Sequence, residues 1–443
     1  MSYSSRLAAL EAERGRPVRI ALVGAGQMGR GFAAQAHRMT GVHVSAVVDV
    51  VAERASEALV GTGQQPVISH DLDEVVRVVE SGGAVALDDL SMLTDLPVDV
   101  VVEATGVPEI GAQVAVRCLL AGKDIATLNV ESDVTIGRLL HDLAGSTGAI
   151  YSICRGDEPV ECKILVDYAR DLSMEVVMAG KGKNNPLDPS ATPASLTEEA
   201  QRKGMNPKML CSFVDGSKAM IEMAALANTT GLGVSTRGMH GPASTVPTLQ
   251  DTFALVEDGG VLEKAGVVDY CTGPVAPGVF VVVRTDDPYV NHELSYLQMG
   301  KGPYFALYRP YHLASVEAPL TVAEMVVDRR ASLTSEFWTA EVGAVAKSDL
   351  AAGTVLEGVG GAHVHGLIED AADFAAGNRV PLGVIANARL VRDVPAGEYL
   401  TYDDVELASD SVIVALRKLQ DATPAGTAPS EADLVAALGG VPA

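Results

Sequence analysis

Val18-Arg-Ile-Ala-Leu-Val23, then Gly24-Ala-Gly26-Gln-Met-Gly29, then Asp49 twenty residues after Gly29: this stretch decides the reading of the chain. Six mostly apolar residues make a buried strand that breaks at Gly24. The G-x-G-x-x-G run opens a helical stretch from Met28 to about Met39, and Val42–Val48 reads as the next strand, ending at Asp49. In that β-α-β context the glycines have separate tasks. The first permits a tight turn, and the second lets a pyrophosphate approach the backbone at a helix N-terminus. Gly24, Gly26, Gln27, Met28 and Gly29 are therefore expected to hold a dinucleotide. Asp49 can accept from an adenosine ribose hydroxyl, which suits NAD, whereas Arg54 could hold the 2′-phosphate of NADP, so both cofactors stay open.

Working outward, Val98–Glu103 is a further strand followed by the turn Ala104-Thr105-Gly106, and Ile125–Val130 is another. Helices are expected near 5–15, 53–60, 71–81, 109–121 and 134–145. Alternation of this kind predicts an α/β, doubly wound Rossmann sheet over residues 1–150. Strand C-termini in such a sheet face the ligand crevice, so Thr105, Gly106, Asn129 and Glu131 are expected beside the nicotinamide ring.

Residues 151–341 have another texture, read as an α+β substrate and oligomerisation domain with strand-like runs at Val176–Met178, Gly278–Arg284 and Phe305–Tyr308. Gly180-Lys181-Gly-Lys183-Asn184-Asn185 reads as a loop after the first of these, able to bind an anionic, hydroxyl-rich substrate. Asp215-Gly-Ser-Lys218-Ala-Met-Ile-Glu222 opens a helix, with Lys218 and Glu222 one turn apart on one face. Hydride transfer to a carbonyl leaves an alkoxide that needs a proton donor or a cation. Lys218 is the expected acid, with a pKa lowered by the helix dipole and neighbouring lysines, Glu222 its orienting partner and Lys181 a second candidate. Lys183, Asn184, Asn185 and Asp215 are expected to bind substrate, together with Arg237, His240, Arg309 and His312, which sit in Gly- or Pro-containing turns suited to clamp phosphate or carboxylate.

Near residue 342 the chain changes again. Ala344-Val-Ala-Lys-Ser-Asp349-Leu-Ala-Ala-Gly353-Thr-Val-Leu356 partly recurs as Ala388–Leu400, aligning Asp349 with Asp393 and Gly353 with Gly397. Residues 342–420 read as a small β module, chemically secondary, and the Ala-, Pro- and Thr-rich 421–443 as a flexible tail with a short helix at Ser430–Leu438.

Composition sets outer bounds. At about 150 residues per domain, 443 residues suggest two to three domains. A formal net charge of −24 argues against nucleic-acid or anionic-membrane partners, which need basic surfaces. Five cysteines without a CxxC suggest neither a disulfide framework nor a zinc ribbon. With no apolar run of about 18 residues and a charged N-terminus, the chain is read as cytoplasmic. A small-molecule substrate and a homo-oligomer are expected. A divalent metal is conceivable at Asp157-Glu158 or Asp215/Glu222, although no spacing indicates one, and His363-Val-His365 lacks a third ligand.

Val23–Gly29, Val101-Val-Glu-Ala-Thr-Gly106, Leu128-Asn-Val-Glu-Ser-Asp133, Gly180–Lys183, Phe213–Lys218, Leu307–His312 and Ala346–Leu350 carry a resemblance. To about residue 415 the chain resembles bacterial oxidoreductases that join a homoserine-dehydrogenase-like Rossmann domain to a C-terminal SAF (β-clip) domain. One branch of these is the 1-deoxy-D-xylulose 5-phosphate reductoisomerase-like enzyme. The resemblance implies an NAD(P)-dependent oxidoreductase of a small hydroxylated, phosphorylated or carboxylated carbonyl compound, most like a ketose-phosphate reductoisomerase. The alternatives are a polyol, sugar-acid or homoserine-type dehydrogenase, and, from another class, a non-catalytic dinucleotide-binding sensor or scaffold.

Overall fold

The structure, a computed structural model, describes residues 1–439. They form two compact units rather than four consecutive segments. The first comprises Met1–Asp157, Leu313–Thr334 and the residues from Ser411 onward, and the second Glu158–His312 and Ser335–Asp410.

Seven strands build the first unit's sheet: β1 (Val18–Val23), β2 (Val42–Val48), β3 (Val67–Ile68), β4 (Val85–Leu87), β5 (Val100–Glu103), β6 (Asp124–Thr127) and β7 (Tyr151–Ile153). They run parallel in the order β3-β4-β2-β1-β5-β6-β7. A parallel sheet must be covered on both faces, and the alternation along β1 shows it. Ile20 and Leu22 join an apolar cluster with Leu7, Phe32 and Leu59, whereas Ala21 and Val23 face Leu119, Leu140 and Leu416. The covering helices are α1 (Tyr3–Arg14), α2 (Gln27–His37), α3 (Ala52–Val60), α4 (Leu72–Glu80), α5 (Pro108–Leu120) and α6 (Val130–Thr147). Successive strands step one way from β1 to β3 and β4, then the other way from β5 to β7. The order therefore reverses between β1 and β5, where a doubly wound sheet opens its ligand crevice.

Residues 411–420, expected at the end of the β module, and 421–439, expected as a flexible tail, form helices on the first unit. The helix Val412–Ala422 packs on α5 and α6, and a last helix, Glu431–Ala437, packs on it in turn. Ile413, Leu416, Leu434 and Leu438 recur at helical spacing and are buried in the sheet's apolar cluster. Glu109 receives the first helix, its carboxylate accepting from Ser411 Oγ at 2.7 Å and from the Ile413 amide at 3.2 Å. Residues 440–443, the end of the expected tail, lie outside the described residues.

In the second unit a mixed sheet has the order β12-β11-β8-β10-β9. Its strands are β8 (Glu175–Lys183), β9 (Gly233–Val234), β10 (Val267–Thr272), β11 (Val279–Arg284) and β12 (Tyr304–Arg309). The helices α7 (Glu158–Asp171), α8 (Thr197–Lys203), α9 (Pro207–Val214) and α10 (Ser217–Thr230) accompany it. Every residue of α10 except Lys218 is buried, so this helix is enclosed on all sides. It packs on α7, α9, β10 and the antiparallel pair β13 (Ala340–Ala346) and β14 (Val364–Asp370). The pseudo-repeat of residues 342–410 closes reciprocally. Leu350 and Val394 exchange backbone hydrogen bonds of 2.9 Å, Asp349 caps the Ala396 amide at 2.9 Å and Asp393 caps the Ala352 amide at 2.8 Å. Gly353 (φ +88°) and Gly397 (φ +81°) supply the left-handed turn residue in each copy.

Among the described residues no helix is long and apolar enough to cross a membrane. All five cysteines are free and buried.

Candidate active site

The crevice of the first unit is built by strand ends. Gly24, at φ +99°, lies so close to the turn after β5 that a Cβ there would stand 2.9 Å from the carbonyl carbon and oxygen of Ala104. Gly29 packs α2 onto its own loop, and a Cβ would come within 1.9 Å of the Gly24 oxygen. Gly26 differs: it is exposed, its φ of −72° suits any residue, and a Cβ would meet nothing within 4 Å. It is the N-cap of α2 and no side chain caps that helix, so the amides of its first turn, at Gln27, Met28 and Gly29, suit phosphate oxygens. Two glycines are thus needed by the fold, and the third leaves room on the ligand side. These residues fit a dinucleotide pyrophosphate.

Asp49 does more than the sequence suggests. Its Oδ2 accepts from the Ala25 amide at 2.9 Å, bracing the glycine loop, and its Oδ1 accepts from Val51 N at 3.2 Å and lies 3.4 Å from Arg54 Nε. The two rival readers of the ribose are therefore an ion pair. Arg30, which the sequence reading passed over, donates to the Ala25 carbonyl at 3.0 Å and braces the loop from its other side.

Across the switch point, Glu103 is fully buried at the end of β5 and accepts from the Thr105 amide at 2.7 Å, Thr105 Oγ1, and Thr127 Oγ1 at 3.0 Å. Burial pushes its carboxyl up from the ordinary value, against those hydrogen bonds. Thr105 and Gly106 (φ +66°) form the turn that Glu103 pins. Asn129 is the N-cap of α6, its side chain accepting from Ser132 N, and Glu131 lies in that helix's first turn.

In the second unit the segment read as a loop is the end of a strand. β8 continues through Gly180-Lys181-Gly182-Lys183. The glycines are required by neighbours: a Cβ on Gly180 would meet the Asp269 oxygen at 1.9 Å, and one on Gly182 the Ala276 nitrogen at 2.3 Å. The alternate residues, Lys181 and Lys183, share the other face. Lys181 Nζ lies between two carboxylates, donating to Glu158 Oε1 at 2.6 Å and to Glu222 Oε2. Glu158, the first residue of α7, also faces His312 Nε2 at 3.2 Å, and Lys218 Nζ lies 3.9 Å from Glu222 Oε1. Burial opposes both charges of the central pair, but Lys181 stays well protonated between its carboxylates, while Lys181, His312 and Lys218 hold Glu158 below the ordinary carboxylate range.

The structure brings Lys181, Lys218, Glu222 and His312 together and adds Glu158, which the sequence reading weighed only as a metal ligand. It places the other candidates elsewhere. Lys183 donates to the carbonyls of Asn185 at 2.7 Å, Phe213 at 2.9 Å and Pro186 at 3.3 Å, so it anchors the chain that follows it. Burial, with Lys181 nearby, lowers it to about 8. Asn184 is exposed, and Asn185 donates to its side chain. Asp215 is fully buried and paired with Lys347 Nζ at 2.8 Å. Arg309 pairs with buried Glu161, and half-exposed Arg237 with Glu369 at 3.1 Å. His240 is held by Asp269 at 2.7 Å and Glu263 at 3.2 Å, which raise its pKa, the hydrogen bond to Asp269 first. Arg237, His240 and Arg309 each already have a carboxylate from a distant part of the chain, which a search of turns for substrate clamps had no means of showing.

Residues 156–318 match the family described as "Oxidoreductase DRL, catalytic domain". All five residues of the Lys181 cluster fall within that segment. No curated protein gives a significant match. Among solved structures, a myo-inositol dehydrogenase from Corynebacterium glutamicum is 11% identical, with 73% of this chain and 91% of that one covered and a TM-score of 0.41. A UDP-N-acetylglucosamine 3-dehydrogenase from Acidithiobacillus ferrooxidans is 13% identical, with coverages of 72% and 91% and a TM-score of 0.39. A myo-inositol 2-dehydrogenase from Lactobacillus plantarum is 14% identical, with coverages of 71% and 91% and a TM-score of 0.38. At such scores the likeness carries no argument about this chain. The matched catalytic segment makes the chain an oxidoreductase. The glycine loop, the uncapped α2 and the β1/β5 switch point fit an NAD(P) cofactor for that oxidoreductase.

Proposed function

We propose that the chain transfers hydride between NAD(P) and a small hydroxylated carbonyl compound, with the Lys181 cluster governing charge and protons on the substrate oxygen. One observation carries this reading: Lys181 is buried between Glu158 and Glu222, with His312 and Lys218 against those carboxylates, inside a segment that matches an oxidoreductase catalytic domain. A sensor needing only to bind a nucleotide has no use for two lysines, a histidine and two carboxylates gathered together in a largely buried space.

NAD(P), when bound, supplies or accepts the hydride. Gly24–Gly29 hold its pyrophosphate, and Thr105, Gly106 and Asn129 lie at the strand ends expected beside its reactive ring. Delivery to a carbonyl carbon builds negative charge on the oxygen. Lys181, firmly protonated, stabilises that charge rather than giving up its proton. Lys218 is the better donor, because it is the more exposed of the two, its side chain 18% accessible against 10%. Glu222 touches both ammonium groups and sets their spacing. His312, on Glu158, offers a further donor to a substrate hydroxyl. Lys183 and Asp215, engaged in buried bonds, shape the site without touching substrate.

Within this class the reading extends to a ketose phosphate that is rearranged as well as reduced. The resemblance of Gly180–Lys183 and Leu307–His312 to the reductoisomerase-like enzymes supports it. The same resemblance, with the reciprocal Asp349 and Asp393 caps, supports a SAF-type fold for residues 342–410. The test is a panel of ketose phosphates, ketoses, polyols and sugar acids, followed by NAD(P)H absorbance, with product carbon skeletons resolved by NMR. A rearranged skeleton selects the reductoisomerase, and an unchanged one the simple dehydrogenase. Turnover should fall by about 10²-fold in Lys218→Met. Wild-type turnover in both Lys181→Met and Lys218→Met would refute the assignment.

A further inference from the structure

We infer that the β module of residues 335–410 is part of the catalytic apparatus, and that Lys347 is a positioning residue that sets helix α10, and with it Glu222 and Lys218, against Lys181. The inference rests on the reading of the Lys181 cluster given above.

Only Glu222 and Lys218 reach that cluster from α10, so the register of this helix fixes the geometry. Its N-terminus is held by the module. Lys347, its side chain 2% exposed, donates to Asp215 Oδ2 at 2.8 Å, to the Gly361 carbonyl at 2.7 Å and to the Ala191 carbonyl at 2.6 Å. Asp215 passes the constraint on, its other oxygen accepting from the amide of Ser217, the first residue of α10, at 2.8 Å. Ser217 Oγ in turn accepts from the Gly366 amide of β14 at 2.8 Å. Gly366 packs closely here: a Cβ would stand 2.8 and 2.9 Å from side-chain atoms of Leu382 and Val342 and 3.4 Å from Ser217 Cα.

The far end of α10 is held the same way. Buried Asn228 accepts from the amides of Thr339 and Ala340, both at 2.9 Å, and donates to the Ala340 carbonyl at 3.1 Å, clamping the start of β13. Both ends of a helix carrying two site residues are thus fixed to one module. A buried charge paired with a carboxylate and held by two carbonyls is costly to build, and well-packed apolar residues would stabilise an ordinary domain contact at least as well. Its use here is geometric: a buried ion pair tolerates one registry, whereas an apolar contact tolerates several.

Removing Lys347 alone would strand a buried carboxylate and endanger folding, so the decisive variant is Lys347→Met/Asp215→Asn, which removes both charges together. Ser217→Ala, which deletes only the link to Gly366, serves if the double variant is recovered unfolded. Folding is checked by circular dichroism and by NADH titration, which reads the crevice of the first unit. The substrate is the panel compound reduced fastest by wild type. The double variant should lose at least tenfold in kcat with KM changed less than about threefold, and Ser217→Ala several-fold. A readout needing no substrate accompanies this: the Lys181 ammonium, followed by 15N NMR of lysine-labelled protein, should titrate at lower pH once Glu222 is misplaced. A folded double variant with wild-type kcat and an unchanged Lys181 titration would overturn the inference, as would wild-type kcat in Ser217→Ala if that variant has to decide. Lys181→Met is assayed alongside. If it is inactive while the double variant is normal, the site stands and only the role of Lys347 fails. If Lys181→Met and Lys218→Met are both fully active, the site reading itself fails.

Discussion

Replacing Lys181 by methionine removes a charge and keeps the volume, so its consequences can be worked from the geometry. In the native chain one ammonium separates Glu158 and Glu222, whose side chains are 15% and 3% exposed. Without it, two carboxylates face each other in a desolvated space. Breaking a buried pair by removing one partner costs about 3–5 kcal/mol. Lys218 and His312 remain within 3.9 Å and 3.2 Å of the two carboxylates, which points to the lower end, about 3 kcal/mol. For a unit of this size each kcal/mol shifts Tm by roughly 2–4 °C, so the loss should read as about 6–12 °C.

The pH dependence gives a sharper test. Lys181 is raised above its unfolded value of 10.5, so its stabilisation is fully present below that value and is lost as pH rises through the higher folded pKa. Glu158 is lowered from 4.5, so its contribution is present above 4.5 and is lost as pH falls through about 2. Across the window from about pH 4.5 to 10.5 the native pair contributes fully. In Lys181→Met the sign reverses for one carboxylate. Its like-charged neighbour raises its pKa, so protonation stabilises the folded variant and the deficit shrinks on acidification. Urea melts of both proteins at pH 8, 7 and 5 should show the gap narrowing by about 1 kcal/mol or more between the extremes. A deficit under about 1 kcal/mol at pH 7 would contradict the cost expected of a broken buried pair. A deficit unchanged between pH 8 and 5 would refute the picture of one buried ammonium satisfying two carboxylates.

Three further outcomes follow from the first unit. Gly26→Val should leave Tm near wild type but weaken NADH binding at least tenfold by titration, because a Cβ there meets only open space, whereas Gly29→Ala should lower Tm, because its Cβ would collide with the Gly24 carbonyl. Asp49→Asn keeps an oxygen for the Ala25 amide while discharging the partner of Arg54, so the ratio of NADPH to NADH affinity should rise by roughly the tenfold of a 1.4 kcal/mol change. An unchanged ratio would mean that neither residue reads the ribose. Leu434→Ala should cost about 2–5 kcal/mol in a urea melt, the usual toll of truncating a buried leucine, whereas a flexible segment would lose nothing.

What the sequence disclosed and what it hid divide along sequence separation. The crevice was legible because its constraints are local: an apolar strand, a turn that needs φ above zero at Gly24, a helix opening at Gln27, an acid closing the next strand. The pseudo-repeat was legible for the same reason, although not that Asp349 and Asp393 would cap each other's copies. Gly180–Lys183 misled because glycine marks loops when taken residue by residue. Taken with a period of two, the same four residues put both lysines on one face and both glycines on the other, which is a strand crowded by backbone on its glycine side. The remaining failures concern pairing. Arg237, His240, Arg309 and Asp215 look like free polar groups in turns, yet each is matched by a carboxylate or a lysine between 23 and 148 positions away. The residues proposed for the chemistry share their charges as a group rather than in closed pairs, Lys181 lying between Glu158 and Glu222 with Lys218 on Glu222 and His312 on Glu158. Such sharing keeps protons and charge movable at small cost, because displacing one cation leaves each carboxylate another. A closed pair such as Lys347 and Asp215 has no such freedom, which suits it to holding a helix and not to moving a proton.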